Sequence, residues 1–269
     1  MTTSYRPFAK RIPIIDAHAH MGAYRNFHIP DNDADGMLAQ FDAVGIDVAC
    51  VSHHASISAD HVHGNEQVRR AVQRSPERLI GMCVLNPNYP ETAEAEIERC
   101  FSGLGFRGFK AHPELHGDYP LDGPGYRPMW EYADHHGLPV LSHSYFGGDR
   151  LEVFRALSER YPNTVVLLGH AGIDLGLDRA AELANSSDNL VLDMTAMQRH
   201  GGAVEYLADR VGPTKLVWGS DSPFIDPGLV LGTIVHADIE DDVREAILYR
   251  NMASILGVDV HQGQLRSAG

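Results

Sequence analysis

Residues 12–20 read IPIIDAHAH: a short apolar, β-branched run that passes at once into Asp16, His18 and His20. The run has the composition of a buried strand, and three polar residues of one parity end it. Seven more such runs follow: 47–54 (DVACVSHH), 79–87 (LIGMCVLNP), 106–113 (FRGFKAHP), 138–144 (LPVLSHS), 164–172 (TVVLLGHAG), 189–196 (NLVLDMTA) and 215–223 (KLVWGSDSP). Their starts lie about 25–35 residues apart, the length of a strand, a helix and two short loops. The stretches between them are helical in pattern. Val68, Ala71 and Val72 make one stripe within 60–74, and Leu151, Phe154, Leu157 and Ser158 make another within 149–160, after an Asp cap. Residues 240–256 form a last helix stopped by Gly257. Continuous apolar strands, each followed by a helix, imply a parallel sheet covered on its outer side. Eight such units predict an α/β protein of one domain, a closed (β/α)8 barrel over residues 1–269, with 1–11 as an N-terminal extension and 258–269 as a C-terminal tail. An open doubly wound sheet is disfavoured, because MGAYRNFH rather than a glycine-rich phosphate turn follows the first strand.

The 269 residues are 43% hydrophobic and 22% charged, which excludes a disordered chain. A formal charge of −14, from 36 acidic and 22 basic residues, opposes nucleic-acid binding through a basic face. No stretch approaches a membrane span and residues 1–11 lack the apolar core of a secretory signal, so a cytoplasmic protein is expected. Cys50, Cys83 and Cys100, without CxxC spacing, are expected as buried free thiols.

The unusual number is 16 histidines. A barrel places chemistry at the C-terminal ends of its strands, and there lie His18 and His20, Lys110 and His112, His143, His170 and Asp221. A single His at a strand end is ordinarily a loop group or a satisfied core residue. Four of these His and the Asp, facing one mouth, are a ligand set for a divalent ion such as zinc. Lys110 has three readings: a partner of a nearby carboxylate, a carboxylated lysine bridging two ions, or a cation for a substrate carboxylate. In the long loop 21–35, Arg25 is a candidate clamp for a substrate carboxylate, against the plainer reading of a solvated arginine. His53 and His54 end the second strand, and His54 is taken as substrate-binding. His61, His63, His135, His136 and His261 are expected in solvent. The pairs Gly147–Gly148 and Gly201–Gly202 are turns rather than anion sites.

The stretches IIDAHAHMG (14–22), GFKAHPEL (108–115), LSHS (141–144), LLGHAG (167–172), WGSDSP (218–223) and NMASILG (251–257) together resemble the amidohydrolase superfamily, in its amidohydrolase-2 branch of metal-dependent hydrolases and non-oxidative decarboxylases. The resemblance covers nearly the whole chain. It implies that His18, His20, His143 and Asp221 hold the metal, that Asp221 is also the general base, and that His170 lies beside the reacting oxygen or, in two-metal members, binds a second ion. Lys110 matches the position of a carboxylated lysine in those members, but GFKAHP is closer to the one-metal pattern. One ion is therefore expected, zinc first and manganese as the alternative, with a second ion through Lys110 and His170 the less favoured arrangement. His112 is then a substrate contact.

The function expected first is hydrolysis: water activated on the metal attacks a C=O or C=N centre of a small carboxylate-bearing amide, ester or lactone, with Asp221 and His170 moving protons. The alternative is a decarboxylase of an aromatic or unsaturated acid on the same scaffold, and a third reading is a catalytically silent metal-binding protein. The partner expected is a small molecule, with no nucleic acid and no membrane; a homo-oligomer is compatible with the sequence.

Overall fold

Each apolar run becomes a strand that begins within it. The computed structural model describes residues 12–103, 105–144 and 151–267. Its strands are β1 (Ile15–Met21), β2 (Val48–His53), β3 (Leu79–Cys83), β4 (Phe106–Ala111), β5 (Val140–Ser142), β6 (Val166–Leu168), β7 (Leu190–Asp193) and β8 (Leu216–Val217). They pair in parallel in chain order. The segment after β8 returns to β1: Ala17 N donates to Trp218 O at 3.0 Å, Asp221 N to His18 O at 2.7 Å and His20 N to Ser222 O at 2.7 Å. With helices between the strands, this is a single (β/α)8 barrel.

The helices form where caps and apolar stripes agree. α1 (Ala34–Val44) is capped by Asp33, whose side chain accepts from Gly36 N, and ends at Gly45 with φ 90°. α2 (His54–Ser58) is a single short turn. α3 (His61–Arg74) starts at Asp60 and buries Val68, Ala71 and Val72, as its spacing requires. The expected helix 149–160 is seen as Glu152–Arg160; its proposed Asp149 cap and the pair Gly147–Gly148 lie outside the described residues. The last helix is not continuous. Asp241–Glu245 and Asn251–Leu256 flank a π turn, Ala246–Arg250. Within the turn the Ile247 carbonyl accepts from Trp218 N at 3.1 Å, which ties it to the residue that follows β8.

Residues 258–267, expected as part of a tail, form a hairpin of β9 (Val258–His261) and β10 (Gln264–Ser267). Val258 and Val260 join Met252 and Leu256 in one apolar cluster with the inward residues Ile15, Val48, Ile80, Leu141, Leu167, Val191 and Val217. Leu265 N donates to Glu77 O, just before β3, which places the hairpin at the N-terminal end of the barrel. That end is sealed by apolar side chains, leaving the opposite end for polar ones. All three cysteines are free and buried. Among the described residues no helix is long and apolar enough to cross a membrane.

Candidate metal centre

The site begins with a bulge. Asp16 pairs with Ala49 and Ala19 with Val51, so β1 has one more residue than β2 over this interval. Such an insertion re-aims the side chains that follow it. Asp16 fills the bend: its Oδ1 accepts from His18 N at 3.0 Å and from Ser220 N at 2.9 Å, which ties β1 to the loop carrying Asp221. Burial pushes the Asp16 carboxyl up to about 7. Asp221 has φ 60°, a left-handed conformation that an Asp tolerates better than most residues.

His18 and His20 are oriented from behind. His18 Nδ1 lies 2.7 Å from Asp193 Oδ2, and His20 Nδ1 lies 2.7 Å from Ser52 Oγ. Asp193 also accepts from Thr195 Oγ1 at 2.6 Å. With each Nδ1–H so used, the Nε2 lone pairs turn inward, 3.1 Å apart. Asp221 Oδ1 stands 3.4 Å from His20 Nε2 and 3.7 Å from His18 Nε2. Burial drives both imidazoles well below their ordinary pKa, helped by the Lys110 ammonium, so they are neutral.

Two neutral imidazole acceptors and a carboxylate oxygen, all within 4.8 Å of one another, suit a divalent cation. Two lone pairs 3.1 Å apart with both Nδ1 donors committed elsewhere are favourable only with a proton or a cation between or beside them. One cation is already adjacent: Lys110 Nζ lies 2.6 Å from His18 Nε2, and burial pushes it down to about 8. Burial pushes the Asp221 carboxyl up to about 7, against the pull of Lys110.

The remaining expected residues fall into a second group. His143 Nδ1 faces His170 Nε2 at 3.2 Å, while its Nε2 faces Glu114 Oε2 at 3.6 Å. Its ring stacks on His112, centroids 3.9 Å apart. His143 thus clusters with His112 and Glu114 rather than with the trio of His18, His20 and Asp221. His170 touches both groups, its ring 5.0 Å from that of His18 and 4.8 Å from that of His143. It sits in a left-handed run, His170, Ala171 and Gly172 having φ 58°, 47° and 61°.

His54 is buried, its Nδ1 2.6 Å from Gly22 O and its ring 5.3 Å from that of His20. Above it Tyr24, Phe27 and Phe224 form an aromatic wall with centroids 5.2–5.3 Å apart. Arg25 is exposed on the rim. His53 caps α2 through its Nδ1, which accepts from Ala55 N at 3.0 Å. His61 is buried, against expectation: it bonds Thr92 Oγ1 at 2.9 Å and stacks on Tyr89. His63, His135, His136 and His261 are exposed. Gly202, with φ 78°, makes the turn into Ala203–Val211.

Sequence reasoning gave no role to Asp193, Ser52 or Glu114. The signal for Asp193 was present, since it ends β7 as His143 and His170 follow β5 and β6. Replacing Asp193 by Asn keeps the shape but removes the charge that holds the His18 tautomer. We expect about 10- to 100-fold weaker binding of a divalent ion, read by competition with a chromophoric chelator. Unchanged affinity would mean that Asp193 only packs.

Comparison with known proteins places this geometry. A family model described as "Amidohydrolase" matches residues 15–258. A 2-amino-3-carboxymuconate-6-semialdehyde decarboxylase of Dictyostelium discoideum is 24% identical over 243 residues, 72% of this chain and 66% of that protein. A 2-keto-4-carboxy-3-hexenedioate hydratase of a Sphingobium strain is 24% identical over 224 residues, 66% of this chain and 65% of that one. The chain therefore spans just under two thirds of the length of these relatives. The structure is also similar to a 5-carboxyvanillate decarboxylase from Novosphingobium aromaticivorans, solved with manganese and a nitrobenzoic acid. The TM-score is 0.72 at 15% identity, over 91% of this chain and 96% of that one, a likeness of fold.

Proposed function

The chain belongs to the amidohydrolase family, and on that premise we propose that it is a metal-dependent decarboxylase of a small aromatic or unsaturated acid. The observation that carries this reading is the similarity, over 72% of the chain, to a decarboxylase of an unsaturated carboxylic acid. It favours the lyase over the hydrolysis that the sequence put first. In this reading His18, His20 and Asp221 hold one divalent ion, with His143 the expected fourth ligand. Manganese and zinc are the two ions to try, given the manganese in the Novosphingobium protein.

When bound, the ion would fix a carboxylate or phenolate oxygen and draw electron density from the carbon that loses CO2. The chain's own residues do the rest. Asp221 is the trio member that reaches solvent, its side chain 13% exposed, and it delivers the proton. The C–C electron pair stays on the ring or alkene carbon, that pair takes the proton from Asp221, and CO2 leaves: R–CO2⁻ + H⁺ gives R–H + CO2. His170, in contact with the His18 ring, orients the reacting group. Arg25 and Lys110 neutralise the substrate's negative charge, His112 offers it a neutral ring N–H, and His54 borders the site beneath the aromatic wall. No water is consumed, which separates this reaction from hydrolysis.

A second reading, addition of water to an unsaturated acid, is favoured by the hydratase relative. The two separate in labelled water. Protein loaded with manganese or zinc is incubated with a panel of carboxylated phenols and unsaturated diacids in H2(18)O. Release of one CO2 per product, with no label in the organic product, is the expected result. Label in the product without CO2 would overturn it in favour of hydration or hydrolysis. Any turnover ends the silent metal-binding reading.

A further inference from the structure

His54 opens α2 directly after β2 and is 3% exposed. Its side chain makes one hydrogen bond among the described residues: Nδ1 lies 2.6 Å from the Gly22 carbonyl oxygen. A carbonyl only accepts, so the proton sits on Nδ1. Burial holds the imidazole below its ordinary pKa, against the pull of that carbonyl, and the ring is neutral. Nε2 therefore carries a lone pair and no hydrogen. The carbonyl that fixes this tautomer is itself held in place. Gly22 N donates to Asn32 O at 2.6 Å, and at φ 90° a Cβ on Gly22 would stand 2.2 Å from the His53 ring, so only glycine fits there.

The ring belongs to the mouth but not to the ion's ligands. Its centroid is 5.3 Å from that of His20, 5.3 Å from that of Tyr24 and 6.5 Å from that of Phe224. Among the described residues, the ligand atoms on this side that lie within 4.8 Å of one another are those of His18, His20 and Asp221. A buried acceptor beside aromatic rings is costly to leave unmet, and a carboxylate, itself an acceptor, does not satisfy it. An O–H or N–H does. The 5.3 Å between the His20 and His54 rings is the scale of one aromatic ring, so one small molecule can meet both the ion and this acceptor.

We propose that His54 determines specificity: its Nε2 accepts a hydrogen bond from an O–H or N–H group that the substrate carries away from its reacting carboxylate. The site then selects acids with such a donor over acids that are methylated or capped at the same position. This inference deepens the acid-substrate reading of the same centre and rests on it.

The test reads binding rather than turnover. Manganese-loaded protein is titrated by calorimetry with 3- and 4-hydroxybenzoate, each beside its methoxy and methyl counterpart. Methoxy keeps the oxygen and loses the donor; methyl keeps the volume. For at least one ring position the hydroxy acid should bind about tenfold tighter than both counterparts. His54→Asn sets an amide N–H where Nδ1 stood, so the Gly22 contact survives, but it has no acceptor in place of Nε2; the preference should fall to within about twofold. His54→Gln reaches the Nε2 position with its amide oxygen and should keep a severalfold preference. A melting curve and bound manganese, measured for each variant, check the fold and the centre. The proposal is overturned if no hydroxy acid outbinds its methyl counterpart in the wild type, if methoxy matches hydroxy, or if the preference persists in His54→Asn. Equal loss in the Asn and Gln variants also overturns it, since that would report a disturbed Gly22 loop, and so does failure of every acid to bind. A donor preference without CO2 release from any acid would sink the decarboxylase reading and leave His54 its role. CO2 release without a donor preference would do the reverse.

Discussion

Dialysis of the protein against a strong chelator is expected to abolish turnover and to lower the melting temperature by roughly 5–10 °C, and added manganese or zinc is expected to restore both. The reason lies in the trio. His18 and His20 bring neutral Nε2 lone pairs to 3.1 Å, with Asp221 Oδ1 3.4 Å from the nearer one. Their Nδ1 atoms are already committed to Asp193 and Ser52. Without an ion, the Lys110 ammonium at 2.6 Å from His18 Nε2 is the cation closest to this set. An ion that binds only the folded chain stabilises it by about 2.7 kcal/mol at a hundredfold excess over its dissociation constant, and for a domain of this size each kcal/mol moves the melting point by about 2–4 °C. Full activity after exhaustive chelation, with metal content confirmed as nil, would refute the metal centre.

The second large effect is expected from Asp221→Asn. The amide keeps the volume and an oxygen donor but has no carboxyl proton to give at neutral pH. Turnover should fall by about 10²–10⁴-fold, with much of the ion retained because His18 and His20 are untouched. The split between kcat and metal content is the informative readout. Asp221→Ala should lose the oxygen ligand as well, and with it ion affinity. Normal kcat in the Asn variant would exclude Asp221 from proton transfer. Loss of the ion in the Asn variant, with kcat restored at high metal concentration, would confine Asp221 to ligation.

The residues at the strand ends show how much of the centre was readable in advance. HxH at the end of the first strand, His143 and His170 after the fifth and sixth, and Asp221 after the eighth stand out in the chain because a barrel turns strand ends toward one mouth. The buried state of His61 did not stand out. Its neighbours on α3, Val62 and His63, are exposed, and it is covered by Tyr89 and Thr92 from a segment that helical spacing does not see. The hairpin 258–267 is another case: alternating Val258 and Val260 are too short a run to announce a strand, and they become one by closing the apolar end of the barrel.

Sequence alone determined the eight strand–helix units, the barrel, and the residues that ring its mouth. Hydrophobic runs and turn residues act over a few neighbours, so they are written locally. Tertiary structure alone decided which of those residues meet. His18 takes its orientation from Asp193, 175 residues away, and His143 Nε2 comes to 3.6 Å from Glu114 Oε2, from a segment that follows another strand. Strand parity says to which side a side chain projects. The direction of an imidazole lone pair is set by the hydrogen bond behind it, and that partner comes from another strand.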